Sequence, residues 1–289
     1  MSLVSSKNDL ARELFVRTAD QNYVTARWCA NNGLNTDFLW LAVHALEKYY
    51  KAVLLVNGHD TRGYSHKVVR LHHDVKAFAG PLLPDRLARP HQLDLVLWRD
   101  RSAEEFMAHL LDNGNADNRY AIYGYVTGTQ DLHMLDAIVF AVRRLICELD
   151  VEVFTGADEP GVPSFTHRDI LTQQPAFRFP MAMPLDDLVG SREDTPLRQA
   201  ALNLNFPFAP VNFVHRPMPE GASSSNPVII RRILDPLASD DPNLAREGIE
   251  LARWFLTNVQ VPRGTPDNPG VREQIQDGID VARTRHQLP

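Results

Sequence analysis

The sequence predicts a mainly α protein, built as a bundle of four to five helices over the first half with a Pro-rich, partly helical second half. Two observations carry this. Amphipathic and apolar segments of helical period recur between residues 8 and 150, and only three of the twenty prolines, at positions 81, 84 and 90, lie before residue 151. Proline breaks helix interiors, so the two parts divide at 1–152, the bundle, and 153–289, the Pro-rich region.

Taken in order, residues 8–31 are expected to form the first helix, with Leu10, Leu14, Ala19, Tyr23, Ala26 and Ala30 on one broad face and "NNG" at 31–33 as its stop. Asn35 or Thr36 can cap the second, which runs to Val56 and ends at Asn57 and Gly58. Its sequence, "FLWLAVHALEKYYKAVLLVNG", is apolar nearly all round, which belongs at the centre of a bundle. Trp40 is accordingly expected in the core. A third helix is expected in "SHKVVRLHHDVKAFA", 65–79, a fourth at 102–112 and a last bundle helix at 130–150. Beyond residue 151, "PSFTHRDIL" and "PLRQAALNL" suit short helices, "NPVIIRRIL" suits a strand or a short helix, and 242–258 and 269–286 open with prolines suited to helix N-termini.

The chain's 289 residues carry a formal net charge of −6. Neither part is basic, so strong non-specific binding to DNA is not expected. Cys29 and Cys147 are too few for a disulfide framework, and no membrane span is expected because Glu47, Lys48 and Lys51 interrupt the most apolar segment. A cytoplasmic protein is the expectation. The His66, Arg70, His72, His73 and Asp74 cluster lacks a ligand spacing that would build a metal centre, so neither metal nor cofactor is expected.

His44, Glu47, Lys48 and Lys51 form a polar stripe on the second helix. Such a stripe either fixes helix register or faces a polar groove. The ordered set of Glu47, Lys48, Lys51, Gly58 and His66 resembles the HEPN family of helical bundles over about residues 8–150. The resemblance implies a nucleotide- or RNA-handling bundle, often a homodimer, whose nuclease members use an Arg-x4-6-His motif without metal. Here the sequence departs from that pattern: Arg119 in "NRYAIYGY" has no His four to six residues later. "RLARPH", Arg86 to His91, has the spacing but contains Pro90.

The expected function is therefore binding of a nucleotide or RNA segment without catalysis, through Lys48, Lys51, His66, Arg70 and Arg119. Two alternatives stand beside it. One is a metal-independent ribonuclease pairing His66 or His91 with Arg119 or Arg86, and the other is a protein-interaction module recognisable by an exposed apolar patch. Arg27 is expected either to face Glu47 across the first hairpin or to join the groove.

Overall fold

The computed structural model describes residues 3–64, 67–93, 98–115, 118, 124–154, 164–217, 220–225, 227–259 and 270–288. It is mainly helical and divides into two compact units, residues 1–115 with 127–223, and 116–126 with 224–289. The boundary expected at residue 152 is thereby moved: residues 167–209 fold with the bundle. Buried arginines on the bundle helices supply the reason, because part of the hydrogen bonding of Arg27, Arg143 and Arg144 goes to residues 171–203 of that later segment.

In the first unit, α1 (Leu3–Ala11) runs through a π-helical turn at Arg12–Val16 into α2 (Arg17–Asn31). This helix starts earlier than its sequence suggests. Its buried residues include Asn8, Ala11, Val16, Ala19 and Tyr23, whereas Leu10 and Leu14 are exposed. At about 100° per residue both leucines lie across the helix from Ala19, so the expected face was drawn too broadly. Gly33, at φ +73°, then turns the chain into α3 (Asn35–Val56), which begins after Leu34 without a side-chain cap.

Helix α3 is the centre of the bundle: Phe38, Leu39, Leu46, Tyr49, Tyr50, Val53 and Leu54 are all buried. Trp40 is only half-buried, standing edge-on to His44 with ring centroids 4.0 Å apart. That corrects its expected core position. Against α3 pack α2, α4 (Val68–Ala79), α5 (Ala103–Gly114) and α6 (Thr129–Arg144). Ser102 and Glu105 form a capping box at the start of α5, and at its end Gly114 lies so close to α3 that a β-carbon would meet the Leu39 carbonyl oxygen at 2.5 Å.

Helix α6 stops at Arg144 rather than at residue 150. The Asn57 side chain explains the early stop, accepting from Leu149 N at 3.0 Å and donating to Leu145 O at 3.5 Å, so tertiary bonds replace the next helical turn. Short helices α7 (His167–Gln173), α8 (Pro184–Gly190) and α9 (Pro196–Leu202) follow. Two-stranded sheets join β1 (Arg86–Leu87) to β2 (Arg101–Ser102), β3 (Tyr125–Gly128) to β6 (Ala222–Ser225), and β4 (Glu152–Phe154) to β5 (Phe165–Thr166).

In the second unit, the expected strand or short helix in "NPVIIRRIL" is a π-helical turn, Ile230–Leu234, leading into α10 (Asp235–Ala238). With α11 (Pro242–Asn258) and α12 (Val271–His286) it closes a separate core of Ile229, Ile233, Leu237, Ile249, Ile275 and Ile279. Among the described residues no helix is long and apolar enough to cross a membrane.

Candidate functional site

The polar stripe of α3 resolves into individual contacts. Glu47 is buried and accepts from Lys51 Nζ at 2.6 Å, with His44 Nδ1 3.8 Å from its other oxygen. Lys48 is half-buried, and burial pushes its ammonium below the ordinary lysine value although Glu47 partly offsets this. With the Asn22 amide oriented to donate to Thr18 O, its oxygen accepts from Lys48 at 3.3 Å. The stripe thus ties α3 to itself and to α2.

Arg70 stands differently. Its side chain on α4 is 61% exposed, with Nε 3.7 Å from Asp74, and its guanidinium lies 5.0 Å over the Tyr64 ring. The Tyr64 hydroxyl donates to Asp74 at 2.6 Å, so one carboxylate anchors both ring and cation. This bond holds the Asp74 carboxyl below its ordinary range. Lys67 and His73 are exposed on the same short stretch, whereas His72 is buried and shares a hydrogen bond between its Nδ1 and the Tyr50 hydroxyl at 2.8 Å. Among the described residues, no hydrogen bond or ion pair joins Lys48 or Lys51 to Arg70. His66 and Arg119 lie outside the described residues.

Arg27 meets neither of its expected partners. Fully buried, it pairs with Asp136 on α6 and donates to the carbonyls of Ala200, at 2.9 Å, and Asn203. Tyr23 also donates to Asp136, at 2.6 Å. A parallel network centres on Asp20, which accepts from Arg143 at 2.9 and 3.0 Å, from Tyr49 at 2.6 Å and from Leu185 N at 2.9 Å. Arg143 bridges onward to Asp186. These groups are sealed and satisfied, which suits them to structure rather than to turnover.

At the start of α6, Asp131 gathers Arg101 at 2.8 Å, His109 Nε2 at 3.1 Å, Thr127 Oγ1 at 3.0 Å and Gly128 N at 3.0 Å. Burial pushes its carboxyl up, but His109, Gly128 and Arg101 outweigh burial and hold it below the ordinary range. Beside Thr127 and Gly128 opens a cavity of about 280 Å³ whose lining, among the described residues, includes Glu220 and no Lys, Arg or His. That charge suits no phosphate. Arg86 and His91, the spaced pair of the ribonuclease alternative, are both exposed, Arg86 on β1 and His91 in the turn beyond it. Among the described residues no hydrogen bond joins them, and no group of three His, Cys, Asp or Glu side chains is placed to hold a metal.

Tyr64 and Lys67 escaped the sequence reading, although "GYSHKVVR" sets an aromatic and two cations around a helix start. That mixture was the available signal. No family model, curated protein or solved structure matches the chain.

Proposed function

We propose that the protein binds a nucleotide or a single-stranded RNA segment, without catalysis, on the exposed face formed by Tyr64, Lys67 and Arg70. The observation that supports this reading is the guanidinium of Arg70 held 5.0 Å over the Tyr64 ring while more than half exposed. A planar cation beside an aromatic ring offers a base a stacking surface and a phosphate a two-pronged donor. Lys67 adds a mobile positive charge for the neighbouring phosphate. This reading keeps Arg70 from the sequence-based set and takes its neighbours Tyr64 and Lys67 from the chain just before α4, leaving Lys51 to its ion pair with Glu47.

Fluorescence anisotropy with a labelled single-stranded oligoribonucleotide tests it. Stacking is worth about 1–3 kcal/mol per base, so Arg70→Ala and Tyr64→Ala should each weaken binding by about fivefold or more. Lys67→Ala should flatten the salt dependence by about one phosphate contact. Binding that is indifferent to both Arg70→Ala and Tyr64→Ala would sink the reading.

One observation favours the protein-interaction alternative. Leu3, Val4, Leu10 and Leu14 are all at least half exposed along α1 and the π-helical turn, and contiguous apolar surface marks contact sites. A homodimer through this face is the corresponding proposal. Light scattering of the parent beside a Leu10→Glu, Leu14→Glu variant separates the cases, since a dimer held there should become monomeric.

A further inference from the structure

A cavity of about 530 Å³ opens in the first unit between the π-helical turn, the chain just after α6 and residues 179–182. Arg12, Cys147, Glu148, His167, Phe179 and Met181 are among its walls. Two departures from regular backbone frame it. Arg12 begins the π-helical turn, and Ala182 takes φ +52°, a left-handed conformation that costs a non-glycine residue energy. Both kinds of irregularity concentrate at functional sites.

Arg12 is short of acceptors. Its Nε–H is shut away from solvent without a hydrogen bond, and among the described residues the nearest carboxylate is Asp9, 3.5 Å from Nη1 and itself 52% exposed. A guanidinium carries five N–H donors, so most of its capacity is open. His167 is fixed in the complementary sense. Its Nδ1–H donates to the Glu148 carbonyl at 2.9 Å, which leaves the lone pair on Nε2, and its ring stands edge-on to Phe179 with centroids 4.7 Å apart.

The charge around the cavity is mixed: Arg12 meets Asp9 at 3.5 Å and Arg168 is paired with Asp150 at 2.6 Å, whereas Arg144 has no carboxylate partner among the described residues. Its hydrogen bonds go to the carbonyls of Phe177, Leu171 and Gln174. Arg12, Arg144 and Arg168 all favour the ionised form of the Cys147 thiol and Glu148 opposes it, yet burial dominates and pushes the thiol up to about 12. Cys147 is therefore a neutral wall and not a nucleophile. Glu148 is the acidic residue among the described lining, so the preference for an anion rests on the open donors of Arg12 and not on a net positive field.

We propose that this cavity binds a small organic anion with a flat unsaturated body. Its carboxylate or phosphate sits on Arg12, its ring lies against Phe179 and Met181, and Nε2 of His167 accepts a hydrogen bond from a ligand N–H or O–H. Arginine grips planar oxyanions through paired N–H donors, while aromatic rings and methionine sulfur suit an unsaturated body. The volume lies in the range of ordinary small-molecule sites. This site is separate from the Tyr64–Arg70 surface.

Isothermal titration with adenosine monophosphate, 4-hydroxybenzoate and inorganic phosphate tests the proposal on the full chain. One aromatic anion should saturate a single site at sub-millimolar concentration, and whichever binds assigns the oxyanion as phosphate or carboxylate. Arg12→Gln should weaken that binding about tenfold or more, and Arg70→Ala should leave it unchanged. Met181→Trp, which fills the cavity without altering charge, should abolish it and serves where Arg12→Gln fails to fold. The proposal is overturned if neither aromatic anion binds up to about 5 mM, if folded Arg12→Gln or Met181→Trp binds as the parent does, or if inorganic phosphate binds as tightly as the aromatic anions.

Discussion

Replacing Arg27 by methionine should destabilise the first unit more than any comparable change on its surface. Arg27 is fully buried and Asp136 is 1% exposed, so the methionine leaves a carboxylate inside the protein with only the Tyr23 hydroxyl as its described side-chain donor. Breaking one side of a buried ion pair costs about 3–5 kcal/mol. The carbonyls of Ala200 and Asn203 also lose their guanidinium donor, at about 1 kcal/mol each when not replaced. These contributions overlap, and a loss of about 4–6 kcal/mol is expected, against a total of about 5–15 kcal/mol for an ordinary domain. Urea unfolding followed by tryptophan fluorescence measures it in a Trp254→Phe background, because Trp28, Trp40 and Trp98 belong to the first unit and Trp254 to the second. The companion variant Arg27→Met with Asp136→Leu removes both charges, and at least half of the lost stability should return. A single-variant loss below about 1 kcal/mol, or a double variant no more stable than the single, would refute the reasoning.

Trp40→Ala, at a half-buried site, should cost about 1–2 kcal/mol, whereas Phe38→Ala two residues earlier should cost about 3–5 kcal/mol; paired urea titrations compare them, and equal losses would contradict the observed packing. His72 gives a pH dependence. Burial lowers its pKa to about 4, below the value of about 6.5 for an unfolded histidine, so its contribution is fully present above pH ~6.5 and is lost as pH falls towards 4. That loss reaches about 3 kcal/mol, and His72→Gln should remove this part of the stability difference between pH 7 and pH 4.5. An unchanged slope in the variant would place the acid sensitivity elsewhere.

The legible part of this fold was its periodicity. Asn57 and Gly58 stopped α3 as expected, α5 began within a residue of its expected start at 102, and prolines marked α9 and α11, because these signals act within a turn or two of backbone. Local chemistry did not extend to Arg27, Arg143 and Arg144. Their partners lie on other, distant segments, and a charge on an apolar helix announces that it needs a partner without naming one. The same limit applied to the candidate sites. Arg70 could be read from its helix position, but its ring partner Tyr64 depends on how the α3–α4 connection folds back, and Arg12 gained interest only beside Phe179 and His167.

By itself, then, the sequence determined a mainly helical chain with a central apolar helix and a proline-punctuated second half. Helix formation and termination are governed by residues within a few positions of one another. Only the tertiary structure decided that residues 167–209 belong with the bundle, and which arginines are sealed and which stay open. Those outcomes rest on desolvation and on contacts between residues more than a hundred positions apart, as between Arg27 and Asp136, which no local pattern encodes.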